Sequence, residues 1–185
     1  MTAHAQATWP LPGRPMTFAD LDELPDDGRR YELIDGVLVV SPSPSWLHQR
    51  AAFRLARVLD DVCPEDFEVF PAPLDVDVTD DTRLQPDILV IRRDLLGERK
   101  LAGMPDLAVE VLSPSTRRFD LVLKRSRYEA AGCLNYWVYD PDEPSVVAWQ
   151  LTGGRYEEVG RAEGDEELSL TRPYPVTLNP ARLTD

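Results

Sequence analysis

Residues Pro105 to Tyr139, PDLAVEVLSPSTRRFDLVLKRSRYEAAGCLNYWVY, decide the fold. Leu107 to Leu112 is an apolar run of strand length, interrupted by one carboxylate, Glu110. Ser113-Pro114-Ser115 breaks it, and Thr116 is placed to cap a helix running to about Ala131. Gly132 stops that helix, and Asn135 to Tyr139 returns as a second buried strand. Strand, helix and strand in this order predict a βαβ crossover and hence an α/β fold. Within the helix, Asp120, Lys124 and Tyr128 are spaced four apart and share a face.

An ionised carboxylate among aliphatic side chains needs a cation or hydrogen-bond donors. Lys124 is the candidate cation, and Lys100 is the only other lysine beside eighteen arginines. A second acid lies upstream. Gln85 to Ile91 reads as another apolar strand with Pro86 near its start, where a missing N–H is tolerated, and Asp87 at its mouth. Alternation puts Ala108, Glu110 and Leu112 on one face of their strand and Val109 and Val111 on the other. If the two strands are neighbours, Asp87 and Glu110 converge. Two carboxylates, a backbone carbonyl and a lysine can hold Mg²⁺, which keeps several waters for a phosphate substrate.

Pro86-Asp87 followed by Glu110-Val111-Leu112 resembles the PD-(D/E)xK nuclease motif, with Leu112 standing where the motif has lysine. Lys124 on the following helix is the natural replacement. A longer pattern, YELIDG (31–36), SPSPSWLHQR (41–50), QPDILV (85–90), PDLAVEVLSPSTRRFDLVLKRSRY (105–128) and NYWVYDP (135–141), resembles the Uma-two family of bacterial restriction-endonuclease-like proteins over about residues 15 to 180. The resemblance implies a mixed central sheet flanked by helices, with N-terminal and C-terminal β-hairpins. It also implies Mg²⁺-dependent (or Mn²⁺-dependent) hydrolysis of DNA. Asp87 and Glu110 would then hold the metal with the Val111 carbonyl, and Lys124 would act on the attacking water or the phosphate. Members of this superfamily often add an acid from the N-terminal region, and Glu32 is the match. His48, Arg50, Arg54, Asp120 and Tyr128 are candidates for substrate contact. Asp120 is also placed to orient Lys124, and Asp106, at a second Pro-Asp pair, serves a turn.

The alternatives are a nuclease-fold protein that binds nucleic acid or a protein without cutting, and a purely structural interaction protein. The net charge of −13 argues against binding nucleic acid by phosphate neutralisation alone. A bound divalent ion changes that local field. Arg50, Arg54 and Arg57 form one helical stripe, while Arg117, Arg118, Lys124, Arg125 and Arg127 cluster on the crossover helix. These stripes are either phosphate-facing surfaces or solvated faces paired with local acids. Cys63 and Cys133 have no disulfide or zinc spacing. There is no GxSxG elbow and no glycine-rich phosphate loop.

With 185 residues, of which 43% are hydrophobic, the expected organisation is a flexible arm over 1–15 and one domain over 16–185. No apolar run spans a membrane and no signal peptide is evident, so the expected location is cytoplasmic. Thr17 reads as the cap of a short helix to Leu24. Asp35-Gly36 and Gly153-Gly154 each mark a hairpin, and exposed hairpins suit a homodimer. Ser45 to Asp60 has helical periodicity, Phe67 to Phe70 and Leu74 to Val78 read as strands, and a last strand lies near Pro175 to Leu178.

Overall fold

The structure, a computed structural model, describes residues 14–185. Of the arm expected over 1–15, residues 1–13 lie outside the described residues. Arg14 pairs with Asp20 at 2.7 Å, and the Met16 amide donates to the Gly36 carbonyl at 2.8 Å. Thr17 caps the first helix, α1 (Phe18–Asp22), through a reciprocal pair: its hydroxyl accepts from the Asp20 amide while the Asp20 carboxylate accepts from the Thr17 amide.

The crossover stands as the sequence predicts. Leu107–Val111 and Asn135–Asp140 pair in parallel, Glu110 beside Val138. They form the centre of a six-stranded mixed sheet. Numbered in chain order, its strands are β3 (Phe67–Pro71), β6 (Ile88–Arg92), β7 (Leu107–Val111), β8 (Asn135–Asp140), β9 (Ser145–Thr152) and β10 (Arg155–Glu163). Their spatial order is β10-β9-β8-β7-β6-β3, antiparallel everywhere except β7–β8. The β9–β10 hairpin turns at Gly153-Gly154, both with positive φ, as a two-residue turn between twisted strands requires.

A second sheet was not anticipated. Strands β1 (Arg30–Ile34), β2 (Val37–Ser41), β4 (Val76–Thr79) and β5 (Thr82–Leu84) form an antiparallel sheet of order β2-β1-β5-β4. Its hairpin turns at Asp35 (φ 53°) and Gly36 (φ 74°). Strand β5 is too short for a periodicity signal, and it draws the Leu74–Val78 segment out of the main sheet. A small hairpin of β11 (Leu168–Leu170) and β12 (Val176–Leu178) completes the strands, the first of them also unforeseen.

Two cores follow from the alternation along the central strands. On one face Val109 and Val111 pack with Ile88, Val90 and Trp137 under α2 (Trp46–Asp60), which contributes Ala51, Leu55 and Leu59. On the other, Ala108, Leu112 and Tyr136 pack against Ile34, Val76 and Leu84 of the second sheet and Tyr128 of the crossover. One face of the central sheet is thus covered by a helix and a hairpin, the other by a sheet and the crossover helix. No helix among the described residues is long and apolar enough to cross a membrane.

Candidate active site

Ile88 pairs with Val109 and Leu89 with Ala108, and the same register continued one step sets Asp87 opposite Glu110. Residues directly opposite in an antiparallel pair project to the same face. Both acids therefore sit at one end of β6 and β7, facing the second sheet. From that sheet, β1 turns Glu32 and Ile34 toward the centre and Leu33 away toward α1. The crossover supplies the rest. Ser113, rather than Thr116, begins it: its hydroxyl accepts from the Thr116 amide and its carbonyl from the Arg117 amide. Residues Phe119–Lys124 then form a wide π turn before α3 (Arg125–Ala130), where one uniform helix was expected. Such turns are common at functional positions. This one seats Asp120 and Lys124 over Glu110.

Glu32, Asp87, Glu110, Asp120 and Lys124 are each no more than 5% exposed. Lys124 Nζ lies 2.9 Å from Glu32, 3.2 Å from Glu110 and 3.5 Å from Asp120. Asp87 Oδ2 accepts from the Val111 amide at 2.7 Å and lies 3.3 Å from His48 Nε2. Its other oxygen accepts from Arg30 Nη1 at 2.8 Å. Arg30 was not read from the sequence, yet its guanidinium also comes within 3.8 Å of Glu110 and 3.9 Å of Glu32. The only advance signal was a basic residue two positions before Glu32 on a strand, hence on the same face.

Charge sets the protonation. Burial works against the Lys124 ammonium, but Glu110, Glu32 and Asp120 outweigh it and raise its pKa. Burial likewise opposes the Arg30 charge, and Asp87, Glu32 and Glu110 raise it regardless. The two acids at the strand ends diverge. Burial would push Asp87 up, but the His48 contact and Arg30 hold it below the usual carboxylate range. Glu110 is pushed well up, by burial first and then by Asp120 and Asp87, against the pull of Lys124 and Arg30. Asp120 is raised by burial as well. Neighbouring acids driven apart in this way are a mark of acid–base sites.

The cluster opens into a cleft of about 970 Å³, walled by α2 at His48, Ala52, Phe53 and Arg57 and by the crossover at Thr116, Asp120 and Lys124. Three expected substrate contacts lie elsewhere. Arg50 and Arg54 donate to backbone carbonyls of residues 182–185, because a two-residue step from His48 turns nearly to the opposite side of a helix. Tyr128 shares the buried side of Lys124 but is sealed in the core, its ring 5.5 Å from that of Tyr136. Asp120 reaches the cleft beside Lys124. The basic crossover is also neutralised locally: Arg117 pairs with Asp140, Arg127 with Asp35, and Arg125 lies over Trp149.

Among solved structures, the chain resembles one from Anabaena variabilis described as "a putative nuclease belonging to DUF820". The TM-score is 0.68 at 21% identity, covering 86% of this chain and 90% of that one. At that identity the likeness speaks to the fold alone. No curated protein matches the chain. Residues 18–183 match the profile of the Uma2 family, described as "Putative restriction endonuclease", and the chain belongs to that family.

Proposed function

We propose that the chain is a nuclease that hydrolyses DNA phosphodiester bonds at the Asp87–Glu110–Lys124 cluster, with Mg²⁺ or Mn²⁺ as cofactor. The observation that carries this reading is the meeting of those three side chains, from three separate elements, at the end of a cleft. Family membership and the fold support it.

The donors suit such an ion in kind. Carboxylate oxygens are hard ligands, and Mg²⁺ usually takes only one or two from a protein, filling the rest with water. Here four carboxylates face two permanent cations, and Asp120 Oδ1 is buried with no hydrogen-bond donor among the described residues. Among the described residues, no three carboxylate, imidazole or thiol groups already meet at one ligating point. Asp87 and Glu110 would hold the ion, with Glu32 and the Val111 carbonyl as further candidates. A bound divalent ion supplies Lewis acidity and neutralises charge on the phosphate, which this acidic cleft otherwise repels. The Val111 amide and His48 fix the Asp87 carboxylate. Lys124 remains protonated, orients Glu110 and presents an ammonium to the developing phosphorane charge.

The test is incubation with supercoiled plasmid and with single-stranded DNA, in Mg²⁺ and separately in Mn²⁺, beside Glu110→Ala. Nicking that the variant abolishes is the expected result. A folded protein that neither cleaves nor binds metal overturns the proposal. It would favour the non-catalytic reading, to which the Arg30 bridge across the two acids already lends support.

A further inference from the structure

Arg30 is the cluster member that the catalytic reading leaves without a part. Its side chain is 23% exposed and lines the cleft, yet its Nε and Nη2 atoms are buried with no hydrogen-bond partner among the described residues. Nη1 makes one good bond, to Asp87, while Nη2 and Nε stand 3.8 and 3.9 Å from Glu110 and Glu32, beyond hydrogen-bond reach. A guanidinium built for an ion pair normally engages a carboxylate through two parallel bonds. This one instead stands between three carboxylates and satisfies only one. That is how a cation sits when the acids around it are arranged for something else. Each acid is held from behind by a different group: Asp87 by the Val111 amide, Glu32 by the Gln85 amide at 2.9 Å, and Glu110 by Lys124. Each acid therefore has an anchor other than Arg30.

We infer that Arg30 and a divalent cation are mutually exclusive occupants of the space between Asp87, Glu110 and Glu32. Arg30 is thus the residue that sets the metal affinity of the site. Loading turns the guanidinium out into the cleft, where its five donors can meet a phosphate. The inference rests on the proposed metal site and extends it. It predicts that Arg30 offsets part of the acids' charge without metal and that part of every metal's binding energy goes to displacing Arg30.

Mn²⁺ titration calorimetry in the absence of DNA, on the wild type, Arg30→Gln, Arg57→Gln and Asp87→Ala, tests this. Arg30→Gln is expected to bind Mn²⁺ about tenfold more tightly or better, each tenfold being about 1.4 kcal/mol. Arg57 lines the same cleft without touching the acids, so Arg57→Gln should move the affinity far less. Equal effects of the two substitutions, or no tightening with Arg30→Gln, overturn the inference. The metal site itself survives either result if the wild type binds and Asp87→Ala does not. No binding by any protein overturns both. Should Arg30→Gln fail to fold, Arg30→Lys takes its place. It keeps the charge on a shorter, single-point donor and should still bind several-fold more tightly, and an unchanged affinity refutes the exclusion.

Discussion

Removing Lys124 should weaken the fold before it says anything about catalysis. The residue is buried and faces three carboxylates within 3.5 Å. Deleting one partner of a buried ion pair costs about 3–5 kcal/mol, because the remaining charge is stranded. Against a total stability of about 5–15 kcal/mol, that is a large fraction. At about 2–4 °C per kcal/mol for a chain of this size, Lys124→Ala in EDTA should melt roughly 6–20 °C below the wild type at pH 7.5. The deficit should depend on pH. Without Lys124, Glu110 and Asp120, already raised by burial, have folded pKa values still further above their unfolded ones. The folded variant then binds more protons than the unfolded chain, so its stability falls as pH rises through that window and recovers on acidification toward pH 5. Urea unfolding followed by tryptophan fluorescence at several pH values measures this directly. Adding Glu110→Gln should restore about 0.5–3 kcal/mol, the coupling expected of residues in one network. A midpoint equal to the wild type at pH 7.5, or a deficit that grows on acidification, would refute the reasoning.

Three further outcomes follow from local features. The Tyr128 hydroxyl is buried without a partner among the described residues, so Tyr128→Phe should raise stability by about 1 kcal/mol in calorimetry, and a clear loss would mean that the hydroxyl is bonded. At Gly36 (φ 74°) an added Cβ would stand 2.6 Å from Pro15 Cβ, whereas at Gly153 (φ 58°) none of the described residues beyond its chain neighbours lies within 4 Å. Gly153→Ala should therefore cost only about 1–2 kcal/mol of left-handed strain, and Gly36→Ala that plus about 1–3 kcal/mol of overpacking. Burial pushes the Cys133 thiol up to about 12, while Cys63 is partly exposed and raised less. Thiol titration with a disulfide reagent at pH 8 should count one reactive cysteine in the native protein and two in denaturant.

Much of the site was legible because its members carry a local signal. Asp87 and Glu110 stand out as single acids in or beside apolar strands, and Lys124 as a lysine in an arginine-rich chain. Glu32 has no such local signal and came from the family resemblance; the structure sets its buried carboxylate 2.9 Å from Lys124. Arg30 was missed because nothing within its own strand distinguishes an arginine that faces water from one that meets an acid 57 residues away. The arginine stripes stayed open between phosphate and local partners for the converse reason. Helical spacing shows which residues share a face, but not whether that face meets a cleft, a backbone carbonyl or an acid on another element. Arg50 met Asp185, Arg117 met Asp140, and Arg127 met Asp35.

By itself the sequence determined the elements whose cause is local. These are the crossover from its apolar runs and Gly132, both hairpins from their two-residue turns, the long helix from its periodicity behind Ser45, and the alternation that sends Glu110 one way and Val111 the other. Only the tertiary structure decided which strands became neighbours. The β6–β7 register put Asp87 opposite Glu110, the second sheet delivered Glu32 and Arg30, and the π turn lowered Lys124 among the acids. The physical reason is range. Turn chemistry and side-chain period act over a few residues, whereas strand pairing and buried charge balance depend on groups the chain joins only when the whole sheet closes.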